Sequence, residues 1–173
     1  MRPPLRLPPM LLLATLPWLA ASWPEQAGAH VHGEARLEIV LAGQSLELRL
    51  DVPQESLLGF ERAPRSASEQ QAWTSLQTTL GAVERLFILP PEADCRAVPG
   101  ADGARQQPAP ASSEHPDLVR HYRWVCQQPA RLRELGTRLF SEFPRLQRIR
   151  VEYAGPDGQK SGRLSARHNR FAW

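Results

Sequence analysis

Alternating apolar and polar residues predict two strand hairpins. Leu37, Ile39 and Leu41 alternate with polar or exposed positions, and the alternation resumes over residues 46–52 after the turn at residues 42–44. A period of two is typical of a strand with one buried face, and a short glycine turn joins two such runs into a hairpin. The second hairpin is predicted near the C-terminus.

In that second hairpin, Ile149, Val151 and Tyr153 alternate with charged residues. The Gly-Pro-Asp-Gly turn at residues 155–158 follows, and a last strand runs through Leu164. Between the hairpins, residues 95–98 form a short predicted strand. Residues 118–126 form a longer predicted strand, with both faces partly covered.

Two helices are predicted from apolar residues spaced three and four apart. The first begins at Ser66, which has capping-box spacing to Glu69, and its stripe comprises Trp73, Leu76, Leu80, Val83 and Phe87. The second follows Pro129 and ends at Pro144, and its stripe comprises Leu132, Leu135, Leu139 and Phe143.

The order of these elements is hairpin, helix, strands, helix, hairpin. It lacks the regular strand and helix alternation of a parallel sheet. We therefore predict an α+β fold: a single domain with a mainly antiparallel sheet and two helices packed on one face. Residues 99–116 are rich in Pro, Ala, Gly, Gln and Ser without an apolar period, which predicts an exposed and mobile loop.

The N-terminus is typical of a secretory signal peptide. Arg2 and Arg6 precede an apolar stretch over residues 10–21, and small residues at Ala27 and Ala29 predict cleavage after Ala29. Cleavage after Ser22 is the competing prediction. The expected product is residues 30–173, a single exported domain, and no later segment is apolar enough to insert into a membrane.

Composition excludes several classes of function. Lys160 is the only lysine, and the arginines are spread along the chain without the basic and aromatic alternation of a nucleic-acid groove, so no nucleic-acid partner is expected. No nucleophile-elbow, His-Glu-x-x-His or Cys-x-x-Cys pattern occurs, which favours a protein that is not an enzyme. In an exported protein, Cys95 and Cys126 most simply form one disulfide.

Three residues directly after the predicted cleavage site have the chemistry of metal ligands. In an extended segment, His30, His32 and Glu34 would line one side at repeats of roughly 6.6 Å. Two imidazoles and a carboxylate could supply three of the four positions around Zn²⁺. A free amine on His30 would instead favour Cu²⁺ or Ni²⁺ in a square-planar chelate. A frayed terminus whose histidines bind nothing is the remaining alternative.

Three further candidate ligands lie far along the chain. Glu114 and His115 fall in the predicted loop, and His121 follows on the next predicted strand. Together they could form a second cluster or complete the first. The alternative is a solvated loop dipeptide beside a half-covered sheet histidine.

Several stretches resemble the ZrgA family of zinc-regulated periplasmic proteins, and the resemblance covers essentially the whole predicted mature chain. Besides the paired cysteines, these stretches are residues 30–35, 59–64, 122–126 and 139–144. The resemblance implies a periplasmic zinc-binding protein that assists zinc acquisition, beside an ABC-type zinc importer or its binding protein. It matches His30 and His32 to the opening His-x-His of the family.

The chain also departs from its apparent relatives. Many of them carry a long insert rich in His, Asp and Glu where this chain has residues 99–116, and many have His at the position of Arg62. The leading hypothesis is a non-enzymatic zinc binder. The alternatives are a metal-independent envelope module that docks a transporter and a Cu²⁺-binding protein that uses an amino-terminal histidine chelate.

Overall fold

The computed structural model describes residues 32–100 and 117–173. The predicted signal peptide, and residues 101–116 of the predicted loop, lie outside these ranges. The described strands are β1 Glu34–Ala42, β2 Ser45–Pro53, β3 Phe87–Ile88, β4 Cys95–Ala97, β5 Asp117–Cys126, β6 Glu134–Thr137, β7 Arg148–Gly155, β8 Gly158–Leu164 and β9 Arg170–Ala172. The described helices are α1 Gln54–Leu58, α2 Ala67–Gly81, α3 Val83–Leu86 and α4 Leu139–Glu142, with 3-10 helices at Pro91–Ala93 and Pro129–Arg131.

The strands form one large and one small sheet within a single, mostly β domain. The large sheet has the order β4-β5-β2-β1-β7-β8, and the small one β3-β6-β9. Both predicted hairpins are confirmed, as β1–β2 and β7–β8. The prediction of a mainly antiparallel sheet holds only roughly, because β1 and β7 pair in parallel and make the large sheet mixed.

The core lies on one face of the large sheet. Alternate residues of its strands are buried there, including Leu37 and Leu48. Each such side chain contributes about 1.5–3 kcal/mol when it leaves water. The ring of Phe87 in the small sheet lies 5.3 Å from that of Tyr122 in β5, so the small sheet belongs to the layer that covers this face. Over residues 121–126, strand β5 is buried on this face only, and there the prediction that both its faces are partly covered is wrong.

The first predicted helix is confirmed in its N-terminal part. Ser66 is the N-cap of α2, and its Oγ accepts a hydrogen bond from the backbone N–H of Glu69, as the capping box requires. The apolar stripe predicted to run from Trp73 to Phe87 does not lie on one continuous helix. Ala82 separates α2 from α3, and Phe87 already belongs to β3.

The second predicted helix is wrong. Residues 134–137 form β6, which lies between β3 and β9, and only the short α4 at Leu139–Glu142 is helical after it. Leu135 and Leu139 are fully buried, as the stripe predicted, but from a strand and from a separate helical turn. Gly136 is unfavourable inside a helix, and pairing on both edges of β6 satisfies its backbone.

The predicted disulfide is confirmed, and it joins the edge strand β4 to β5. Cys95 and Cys126 are directly paired residues of these antiparallel strands. None of the described helices is both long and apolar enough to cross a membrane.

Candidate metal centre

His32 lies in a turn before β1, close to two carboxylates. Its Nδ1 is 3.0 Å from Oε2 of Glu55 in α1, and 3.8 Å from Oε1 of Glu61 in the loop after α1. The His32 side chain is 69% exposed, whereas those of Glu55 and Glu61 are 31% and 20% exposed. The imidazole is therefore open to solvent on one side and faces acidic groups on the other.

The backbone of the turn is fixed at Gly33. Its N–H donates to Oγ of the buried Ser56 at 2.9 Å, and its carbonyl accepts from the backbone N–H groups of Gln147 and Arg148 at 2.8 and 3.0 Å. The φ angle of Gly33 is +76°, a left-handed conformation that favours glycine. These bonds hold His32 between α1 and the start of β7.

Helix α1 places Glu55 beside His32. It begins directly after β2 and is capped at its C-terminal end by Gly59, whose φ is +82° and whose N–H donates to the carbonyl of Glu55 at 2.7 Å. Ser56, the neighbour of Glu55, is fully buried and bonds to Gly33. Two adjacent residues of this helix thus act on the same segment: Ser56 holds the backbone beside His32, and Glu55 presents a carboxylate to the His32 ring.

Glu61 lies in a loop that is held at the carbonyl groups of both neighbouring residues. Nε2 of Gln54 donates to the carbonyl of Phe60 at 3.1 Å and to that of Arg62 at 2.9 Å. Gln54 is only 6% exposed, so these bonds are shielded from water.

The side chain of Arg62 anchors the same loop to the start of α2. Its guanidinium donates two hydrogen bonds to Glu69, at 2.8 and 2.7 Å, and its Cζ lies 5.5 Å from the centroid of the Phe60 ring. The bonds from Arg62, with one from the backbone N–H of Arg65, lower the pKa of Glu69 from 4.5 to about 2. The same pairing raises the pKa of Arg62. At the position where relatives are expected to carry a histidine, this chain has Arg62, whose side chain is bonded to Glu69.

The lowered pKa of Glu69 predicts an acid-dependent contribution to stability. A carboxylate whose pKa falls on folding stabilises the protein above its unfolded pKa, near 4.5, and loses that effect as the pH falls towards about 2. We expect Glu69→Gln to lower the midpoint of denaturant unfolding at pH 7. The deficit should shrink between pH 4.5 and pH 2.

Glu92→Gln, at an exposed carboxylate, is the control and should show no such pH-dependent deficit. An equal deficit for Glu69→Gln at pH 7 and near pH 2 would contradict the assignment.

Glu34, a predicted ligand, has different partners from His32. Its carboxylate lies 2.7 Å from Nη2 of Arg150 and 3.8 Å from Nε of Arg148, both on β7. The sequence argument placed His32 and Glu34 on one side of an extended segment. The left-handed turn at Gly33 interrupts that alternation, and Glu34 is the first residue of β1.

His121 lies on the outward face of the large sheet, opposite Arg49 of β2. It lines an open cavity of about 460 Å³ with charged residues that include Glu38, Glu47 and Arg123. His30, Glu114 and His115 lie outside the described residues. Over residues 32–100 and 117–173, no group of three or more His, Cys, Asp or Glu side chains is arranged so that it could hold a metal ion. The predicted ligand set stays a prediction.

Sequence reasoning named His32 but missed Glu55 and Glu61. They are 23 and 29 positions away from His32 in the chain, and no local spacing connects the three residues. The available signal was the stretch over residues 59–64, which contains Glu61 and resembles the ZrgA family.

Comparison with curated proteins finds no match for the chain. A family model described as ZrgA family zinc uptake protein matches residues 29–173, which confirms the resemblance. The chain therefore belongs to the ZrgA family of zinc uptake proteins.

Proposed function

We propose that this protein is a non-enzymatic periplasmic zinc-binding protein that assists zinc acquisition or buffers zinc. His32, Glu55 and Glu61 are the described part of its site, and His30 supplies a further donor. The observation that carries the proposal is the position of the His32 ring against two carboxylates, in a member of a zinc uptake family.

Two distances from His32 are close to the separation between two zinc ligands. Two ligands of a tetrahedral zinc, each about 2.0–2.1 Å from the metal, are about 3.3 Å apart. Nδ1 of His32 lies 3.0 Å from the Glu55 carboxylate and 3.8 Å from the Glu61 carboxylate, on either side of that value. Two carboxylates also balance the charge of Zn²⁺. Because the His32 side chain is exposed, an ion bound there could pass directly to solvent or to a partner protein.

Export completes the site in this proposal. Cleavage after Ala29 places His30 at the amino end of the mature chain, two residues before His32. The family match covers residues 29–173, which include the whole of this proposed product. An ABC-type zinc importer, or its binding protein, is the proposed recipient of the ion. Glu34, Glu114, His115 and His121 remain candidates for additional sites.

The test is zinc affinity of the exported protein, measured by competition with a chromophoric chelator after metal removal. We expect His32→Ala and Glu61→Gln each to weaken zinc binding at least about tenfold, a loss of about 1.4 kcal/mol. His168→Ala removes another exposed histidine and is the matched control, expected to bind like the wild type.

Equal zinc affinity in His32→Ala, Glu61→Gln and His168→Ala would contradict the proposed site. Transporter capture that survives His32→Ala without metal would favour the docking module instead. Tighter Cu²⁺ than Zn²⁺ binding that is lost when the amino group of His30 is acetylated would favour the copper chelate.

A further inference from the structure

The outward face of the large sheet carries a row of arginines across three neighbouring strands. Arg36 of β1 is opposite Arg150 of β7, and Arg150 is opposite Arg163 of β8. Arg148 lies two residues before Arg150 on the same face, and all four side chains are exposed. These four residues form the arginine patch. Neighbouring strands are about 4.8 Å apart, and like charges in opposite positions destabilise a sheet, so sheet stability does not account for the row.

Two arginines of the patch share one carboxylate. Glu34 lies 2.7 Å from Nη2 of Arg150 and 3.8 Å from Nε of Arg148, and both arginine side chains are more than half exposed. A guanidinium has five N–H donors, and one carboxylate cannot satisfy two such groups. Donors on Arg148 and Arg150 therefore remain available to a further acceptor.

The carboxylates of this face do not extend to its β8 edge. Arg36 is paired with Glu152 at 3.2 Å, and Glu38, 3.9 Å from Arg36, is also 3.5 Å from Arg49. Arg163, at the β8 end of the row, has no ion pair with any residue in the part of the chain that the structure describes. The patch therefore presents a surplus of positive charge to solvent.

We propose that the arginine patch binds an acidic segment of a partner protein, whose carboxylates pair with Arg148 and Arg163. The ion pairs of this face already join arginine to carboxylate, and a planar guanidinium can bind a carboxylate through two parallel hydrogen bonds. A second copy of the chain would instead bring the same positive surplus against itself. The inference goes beyond the proposed binding of zinc.

The surroundings of the patch favour a protein over an anionic membrane. Surfaces that lie on membranes commonly combine cations with large apolar side chains that enter the lipid. Among the described residues, the large hydrophobic side chains that are exposed are those of Val40 and Val125, and neither lies in the arginine row or directly opposite one of its members. Cations alone, without an apolar anchor, fit an acidic protein surface.

The experiment is a titration of the exported protein with a fluorescent oligoglutamate peptide, compared with an oligoglutamine peptide of the same length. We expect only the glutamate peptide to bind, with an affinity that falls as salt is added, because salt screens exposed charges. The double variant Arg148→Gln, Arg163→Gln should weaken this binding about tenfold, since it removes two exposed pairs.

The matched control is the double variant Arg131→Gln, Arg133→Gln. It removes the same charge from two exposed arginines that precede β6, outside the large sheet. We expect it to bind the glutamate peptide like the wild type. An equal loss of binding in the two double variants would overturn the inference, because net charge alone would then explain it. Wild-type binding in the Arg148→Gln, Arg163→Gln variant would overturn it as well.

A charge reversal separates a docking role from a structural one. Arg163→Glu places a carboxylate opposite Arg150. We expect it to raise the midpoint of denaturant unfolding, because it relieves the like-charge pair, and to abolish binding of the glutamate peptide. A midpoint below that of the wild type would assign Arg163 to the stability of the sheet and overturn the inference.

Two further outcomes would assign the patch to another occupant and overturn the inference. One is binding to phosphatidylglycerol vesicles, lost in Arg163→Glu, without binding to the glutamate peptide. The other is a salt-sensitive dimer in sedimentation that is lost in Arg163→Glu. Zinc affinity should be unchanged in Arg163→Glu, so that neither outcome bears on the proposed function.

Discussion

Removal of the Cys95–Cys126 disulfide is expected to lower the free energy of unfolding by about 3.5 kcal/mol. The bond joins residues separated by 31 positions, a span that includes residues 101–116, so it restricts the unfolded chain considerably. It also attaches β4, an edge strand of three residues that pairs with β5. Without the bond, the short ladder between these strands would have to hold β4 in place.

The measurement is the midpoint of denaturant unfolding for the wild type and for the Cys95→Ser, Cys126→Ser double variant, with and without a reductant. Reductant should shift the wild type towards the variant and leave the variant unchanged. Without reductant, zinc affinity should be equal in the wild type and the variant, because His32, Glu55 and Glu61 lie in other elements. Unfolding midpoints that are insensitive to reductant and equal in the two proteins would contradict the expectation.

Local patterns were sufficient for the two hairpins and for the start of α2. In β1 and β2 the alternation of apolar residues states directly which face is buried, and Gly43 marks the turn between them. The capping box at Ser66 is equally local, because its partner is three residues away. Alternation does not state which strand lies next to which. The parallel pairing of β1 with β7 therefore could not be predicted.

The failure at residues 132–143 has the same origin. Leucines three and four apart also arise when a strand and a helical turn follow each other, as Leu135 in β6 and Leu139 in α4 do. What decides between the structures is the pairing of β6 with β3 and β9, which come from distant parts of the chain. Over so few residues, tertiary pairing overrides the local helical pattern.

The candidate site was likewise predicted only in the part that depends on local sequence. Histidine chemistry near the predicted mature terminus was enough to select His32. Its acidic neighbours come from α1 and the loop after it, which only the folded chain brings close. The glycine between His32 and Glu34 was the one local indication that the extended segment is interrupted. Glycine is the residue that most readily takes the left-handed conformation found there.

Gly33→Ala is expected to cost about 2 kcal/mol of stability and to weaken zinc binding. A left-handed φ of +76° is unfavourable for a residue with a Cβ. That Cβ would lie 3.1 Å from the carbonyl oxygen of Arg145 and 3.2 Å from Cγ of Gln147, so the surrounding chain would have to move. Relief of these contacts would displace the turn that holds His32 next to Glu55.

Gly43→Ala separates the two effects. Gly43 also has a left-handed φ, of +58°, in the β1–β2 turn, but a Cβ there would meet no atom within 4 Å. We expect Gly43→Ala to show the backbone cost alone, about 1 kcal/mol, and to bind zinc like the wild type. Unfolding midpoints and zinc affinities measured side by side test this. If the two alanine variants are equally stable and bind zinc equally well, the contacts at Gly33 do not position His32.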